Sequence, residues 1–298
     1  MLGFLQKMEV DSIFKQQPFE TISGNDPLEL WRQYSTKVSG LPSLSVLDVE
    51  PLPASLHTEI ESIKTRPTYK KHYEPLADCS FVLVPIESLL SPQWFADTDY
   101  IDELGSQLNK GMSMAAQLQF AMSEGKITEP IITGNQVVFT SPRLDLYADP
   151  IPTVREMEGG EFEIVVRAAR RLNYIQVVKL RDRLFLTNGV HKVLAFYKNG
   201  FKKIPCVFRT VHWMEETGID PNSSTLLTSP VFEGPRPALV KDFLDTSLSV
   251  PLHMRSMYQI LQIQIGIGAI RVPALPQSSS GTAASRDQPK KTKLKKRS

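Results

Sequence analysis

A chain of 298 residues, 41% hydrophobic and 22% charged, has the composition of a globular protein with a packed core, as one large domain or two ordinary ones. The formal net charge of +2 is unevenly placed. From Gln277 onward seven basic residues and one acid put +6 on the tail and leave −4 on residues 1–276, so overall basicity is no argument for a nucleic-acid-binding domain.

Cys79 and Cys206 do not make a disulfide framework in a chain this long. Met1 to Lys15 lacks the charged start and long apolar run of a signal peptide. Ile260–Ile270 is interrupted by Gln262, Gln264, Gly266 and Gly268, too short and too polar to cross a bilayer. The expectation is a reduced, cytoplasmic protein with no membrane contact.

In chain order, Asp26-Pro27-Leu28-Glu29-Leu30-Trp31 reads as a short helix, with Asp26 as N-cap and proline at the first helical position. Pro42, Pro51, Pro53, Pro67 and Pro75 punctuate the stretch beyond it. Phe81 to Ile86 is a short apolar run of the kind a buried strand carries. Between Asp97 and Glu124, Tyr100, Ile101, Leu104, Leu108, Met112, Ala115, Leu118 and Met122 recur in steps of three and four. That spacing predicts an amphipathic helix with a break at Gly111, a cap at Asp97 or Thr98, and a stop at Gly125.

Pro130-Ile131-Ile132 and Gln136 to Phe139 flank Thr133-Gly134-Asn135, a hairpin signal. Glu161–Arg170 and Tyr174–Leu180, separated by Arg171-Leu172-Asn173, suggest a second hairpin. Arg181-Asp182-Arg183 is a further turn. Leu184-Phe185-Leu186 reads as a strand, Thr187-Asn188-Gly189 as a turn, and Val190 to Asn199 as a helix stopped by Gly200. Ile204 to Phe208 is another strand, with the helix as crossover of a parallel pair. From Tyr258 to Ile267 strict alternation favours a half-buried strand. From Gln277 the composition is that of a disordered segment.

The glycine between strand and helix lets the backbone approach a ligand closely, and helix-start amides favour an anion. His191 and Lys192 stand ready as further donors. The five histidines show no metal-ligand spacing and no catalytic motif is present, so no metal site and no catalytic residue is assigned. Arg167, Arg170, Arg171, Lys179, Arg181 and Arg183 read as a solvated strand edge before a phosphate-binding face.

The run Asn188-Gly189-Val190-His191-Lys192-Val193-Leu194-Ala195 resembles the Gly-x-His-Arg-x-x-Ala turn of the ParB/sulfiredoxin superfamily. Val84 to Leu90 resembles its opening strand, Pro130-Ile131 its "Pro-Ile" strand, and Gly200 to Val207 its closing strand. The resemblance implies an α/β (α+β) fold, a mixed sheet with flanking helices, over residues 79–212. Residues 1–78 are then an extension wrapping the core, 213–276 an extension packed on it, and 277–298 a disordered basic tail.

It also implies a nucleotide or phosphate, with or without Mg2+, at Asn188, Gly189, His191 and Lys192. Sulfiredoxins carry a cysteine where this chain has Val190, which excludes their chemistry. Lys192 replaces the family's arginine and lacks its planar fork. No Asn-Asn-x-Arg element of partition proteins is present. The alternative is a non-enzymatic interaction protein that retains the fold, touching nucleic acid without sequence preference through Lys290 to Arg297.

Overall fold

The computed structural model describes residues 1–16, 20–21, 26–45, 48–76, 78–125, 129–141, 145–149, 151–170, 172–219, 234–253, 259–266 and 268–269. The basic tail, Arg171 and Tyr258 lie outside the described residues.

The molecule mixes helices with sheets. Helices are α1 (Lys7–Gln16), α2 (Pro27–Ser39), α3 (His57–Lys64), α4 (Pro67–His72), α5 (Thr98–Gly105), α6 (Met114–Ala121) and α7 (Val190–Lys198). Capping chemistry fixes several starts. The Asp26 carboxylate accepts from the Leu28 amide with Pro27 in the first turn, Asp97 caps α5 through the Tyr100 amide, and Ser113 caps α6 through the Ala116 amide. The helix expected over 97–124 is broken about Gly111, as the sequence suggests, into two segments, each with its own cap. The first gives out at Gly105 and the second at Ala121, before Gly125.

A six-stranded mixed sheet runs, edge to edge, Glu50–Pro51, Ser80–Pro85, Lys203–Val211, Gln176–Leu180, Arg183–Asn188, Leu89–Leu90. The sequence pattern puts the strands flanking α7 side by side and parallel. Instead Gln176–Leu180 lies between them, antiparallel to Arg183–Asn188 and parallel to Lys203–Val211. Arg181, at φ 54°, turns the first of these pairings, so the crossover spans a hairpin and a helix together. The hairpin expected between 161–170 and 174–180 does not form. Phe162–Val165 pairs with Thr153–Glu156, and Ala168–Arg170 with Leu146–Ala148.

The central strands alternate between two cores. Val177, Leu184 and Leu186 face one with Ile63, Tyr73, Leu104, Leu118 and Phe196. Val178, Leu180 and Phe185 face the other with Met1, Leu2, Phe4, Leu30, Trp94 and Leu239. Helices α3 to α7 cover the first face. Residues from the chain's start and from 238–239 cover the second. A sheet buried on both sides loses most of its apolar surface to water exclusion.

The expected hairpin around Thr133-Gly134-Asn135 is present, Ile131–Thr133 with Gln136–Ser141. The alternating segment pairs with it over Gln259–Gln264, its half-buried face formed by Gln259, Leu261 and Ile263. This makes a three-stranded sheet separate from the central one. The "Pro-Ile" strand therefore belongs to an outlying lobe. No helix among the described residues is long and apolar enough to cross a membrane.

Candidate functional site

Asn188 ends a central strand and Gly189 starts α7 at φ 91°, ψ 23°, in the left-handed region. A Cβ there would sit 3.0 Å from the Cα of Ile175. Both backbone conformation and space therefore require glycine. The first intrahelical bond runs from the Val193 amide to the Gly189 carbonyl, 3.0 Å, so the amides of Val190, His191 and Lys192 precede the ladder. They and the aligned dipoles of a nine-residue helix place positive potential at this end.

A pocket of about 160 Å³ opens here, lined by Pro92, Gln93, Tyr100, Asn173, Leu186 to Lys192, Gly218 and Ile219. All four expected site residues lie on it, but their side chains do other work. Lys192 is 1% exposed. Its ammonium donates to the carbonyls of Asn173 at 2.5 Å, Ser123 at 2.9 Å and Ala121 at 3.3 Å. Three N–H groups meet three acceptors, two of them at the end of α6. A cation at a helix C-terminus is favourably placed, and a buried ammonium with three acceptors avoids the cost of an unpaired charge.

The Asn188 Nδ2 donates to the Leu172 carbonyl, 2.7 Å. Two site residues thus staple the 172–173 segment to the head of α7. His191 Nε2 accepts from the Asp97 amide, 3.0 Å. An accepting nitrogen carries no proton, so this imidazole is the Nδ1–H tautomer in this geometry. Its ring tilts against Tyr100, centroids 5.2 Å apart, and joins the starts of α5 and α7.

The residues that complete the pocket, Gln93, Tyr100, Asn173, Gly218 and Ile219, come from three distant stretches, and no local signal in the sequence marks them. The Gln93 Oε1 is buried with no hydrogen-bond partner. Among the lining residues Lys192 is the one cation, and its ammonium is directed at main-chain oxygens. The pocket's electrostatics come from backbone dipoles and neutral amides.

The basic residues upstream do not make one face. Arg170 lies in an outlying strand, 3.9 Å from Asp145, while Lys179 and Arg183 belong to the central sheet and Arg183 donates to the Gly234 carbonyl. Neither thiol is set up as a nucleophile. Burial pushes Cys79 up to about 11 and also raises Cys206, which is fully buried, so the reactive thiolate is disfavoured at both.

Comparison with protein-family models, curated proteins and solved structures gave no match. The likeness to the ParB/sulfiredoxin superfamily rests on the residues themselves.

Proposed function

We propose that the chain is a ParB/sulfiredoxin-like module that holds a phosphoryl group at the head of α7. One observation carries the reading: the pocket sits where a left-handed glycine opens a nine-residue helix, beside amides that precede its hydrogen-bond ladder. Such an end attracts anions without a cationic side chain. The order of strand Ser80–Pro85, helix α5, the turn into α7 and closing strand Lys203–Val211 is compatible with that reading, whereas the strand that follows Pro130 stands in a separate sheet.

At about 160 Å³ the pocket falls below the roughly 300–1,000 Å³ that encloses a drug-sized ligand. A phosphoryl group with a few neighbouring atoms fits, and the sugar and base of a nucleotide would lie outside. The role we assign is binding, in the cytoplasm.

Titration calorimetry with inorganic phosphate, AMP and ATP tests this. Heat is expected with all three in the millimolar range. It should vanish in Ile219→Trp, which adds bulk to the pocket lining, while the melting temperature holds. A wild-type chain that takes up none of them overturns the proposal.

A second reading, an interaction protein that retains the fold, is favoured by one observation: the side chains of Asn188, His191 and Lys192 are all bonded within the chain.

A further inference from the structure

The outlying lobe, residues 129–170 with 259–269, carries a ribbon exposed on both faces. Thr153–Glu156 pairs with Phe162–Val165, and these strands belong to no larger sheet. Every residue from 151 to 164 is exposed. A lone two-stranded ribbon is marginal in water.

Register sorts its side chains. Val154 lies opposite Ile164 and Glu156 opposite Phe162, and residues opposite or two apart share a face. One side therefore presents Val154, Phe162 and Ile164, 60%, 66% and 68% exposed, with Glu156 among them. On the other side Arg155 stands 4.0 Å from Glu163, the ribbon's one ion pair among the described residues. Glu158 and Glu161 flank the tip, Gly159-Gly160. Residues 151–166 thus carry four glutamates against one arginine, a net −3. That charge repels a second ribbon, nucleic acid and an anionic lipid surface, and favours a cationic occupant. Lysine suits both parts of the face, because its stem lies along apolar surface while its ammonium meets water or a carboxylate.

The chain itself carries such a segment. Lys290 to Arg297 holds six cations and one aliphatic residue, Leu294, in eight positions. It is tethered to the same lobe. The Ile265 amide donates to the Asn135 carbonyl at 2.9 Å, and the Gln259 side chain bonds both main-chain groups of Leu146, at 2.7 and 2.9 Å. Leu146 leads into the ribbon. From Ile265 back to Gln259, across to Leu146 and out to Gly159 is about 75 Å along the backbone path, and the roughly 25 residues from Ile265 to Lys290 span up to ~82 Å when extended. Every acid on the ribbon is within the tail's reach.

We propose that the ribbon is the dock for the chain's own basic tail, independently of the phosphate pocket. Lysine stems cover Val154, Phe162 and Ile164, and ammonium groups meet Glu156, Glu158 and Glu161. Within one chain the contact forms intramolecularly, which gives the tail an advantage over basic partners in solution. It also withholds the tail's cations from polyanions, so the ribbon sets how strongly the chain holds nucleic acid through its tail.

Carbodiimide coupling of the full chain, mapped by mass spectrometry, is the first test. Links from lysines 290–296 to Glu156, Glu158 or Glu161 are expected, with a yield that is constant on dilution from about 50 to 1 µM and falls in about 0.5 M salt. Duplex-DNA binding in about 0.05 M salt is the second. Glu156→Gln/Glu158→Gln/Glu161→Gln should bind about tenfold more tightly than wild type. The charge-matched control Glu29→Gln/Glu74→Gln/Glu215→Gln, at exposed sites outside the lobe, should gain less than about threefold. The difference should disappear when Lys293, Lys295 and Lys296 are also changed to glutamine. Links that map elsewhere, a yield that falls on dilution because the tail sits on another copy, or a ribbon that couples to added polylysine but not to the tail overturns the proposal. So does a ribbon variant that gains no more DNA affinity than its control. Should either variant misfold, the links mapped in the wild-type chain decide.

Discussion

Replacing Lys192 with methionine separates two roles that the same residue could hold. Methionine keeps most of the stem's volume and removes the ammonium. The Ala121 carbonyl also accepts from the Ile175 amide, so it keeps a partner. The carbonyls of Ser123 and Asn173 lose the donors at 2.9 and 2.5 Å. Each of these half-buried acceptors left bare costs about 1–3 kcal/mol, and relief from burying a charge returns part of that. A net loss of about 2–4 kcal/mol is expected, read from urea unfolding at pH 7. The control is Lys202→Met, whose side chain is 72% exposed beside Glu87; it should stay within about 0.5 kcal/mol of wild type. If Lys192→Met unfolds like wild type but loses phosphate binding, the ammonium serves a ligand and the structural role argued for it is wrong.

Three further outcomes are expected. Gly189→Ala should cost about 2 kcal/mol or more, from left-handed strain plus the approach to Ile175, whereas Gly134→Ala, at φ 56° with nothing within 4 Å, should cost about 1 kcal/mol; equal losses in thermal or urea unfolding would remove the packing argument. Asp242, 2% exposed, accepts from both terminal nitrogens of Arg236 at 2.7 and 2.9 Å and from the Leu239 amide, so Asp242→Ala should lose about 3–5 kcal/mol, and a near-neutral result in the same assay refutes the pair's importance. Burial holds Cys79 protonated to about 11 against its ordinary 9.0, and Tyr174 to about 12 against 10.0. The unfolded chain gives up these protons first, so stability should fall as pH rises from 9 toward 12; a urea midpoint that stays flat between pH 8 and 10.5 contradicts this.

Local chemistry was legible where a short-range signal had one solution. Asp26-Pro27 named one helix start and Asp97-Thr98 narrowed another to two residues, of which Asp97 is the cap; Thr133-Gly134-Asn135 named its hairpin, and alternation the strand Gln259–Gln264. Partnership was not legible. The segments Gln176–Leu180 and Arg183–Asn188 are both apolar enough for a central strand, and nothing local says which one lies beside Lys203–Val211. The misplaced hairpin had a visible cause. Gly159-Gly160, both at positive φ, is the stronger turn signal, but the β-branched run after it drew the pairing toward Tyr174–Leu180.

The turn at Asn188–Lys192 shows why a motif read as ligand chemistry can be structural first. Asparagine, glycine and lysine are each demanded there by the fold: the amide holds Leu172, the missing Cβ admits Ile175, and the ammonium closes the end of α6. The partners are 16, 14 and up to 71 residues away in sequence, so no window around the turn could reveal them. What stays available to a ligand is the part that side-chain identity does not encode, a helix start and a pocket beside it. A site of that kind recognises a phosphoryl group by shape and dipole rather than by charge count. It should therefore take inorganic phosphate and a nucleoside triphosphate with similar affinity, because the cation that would have favoured the more highly charged ligand faces the core.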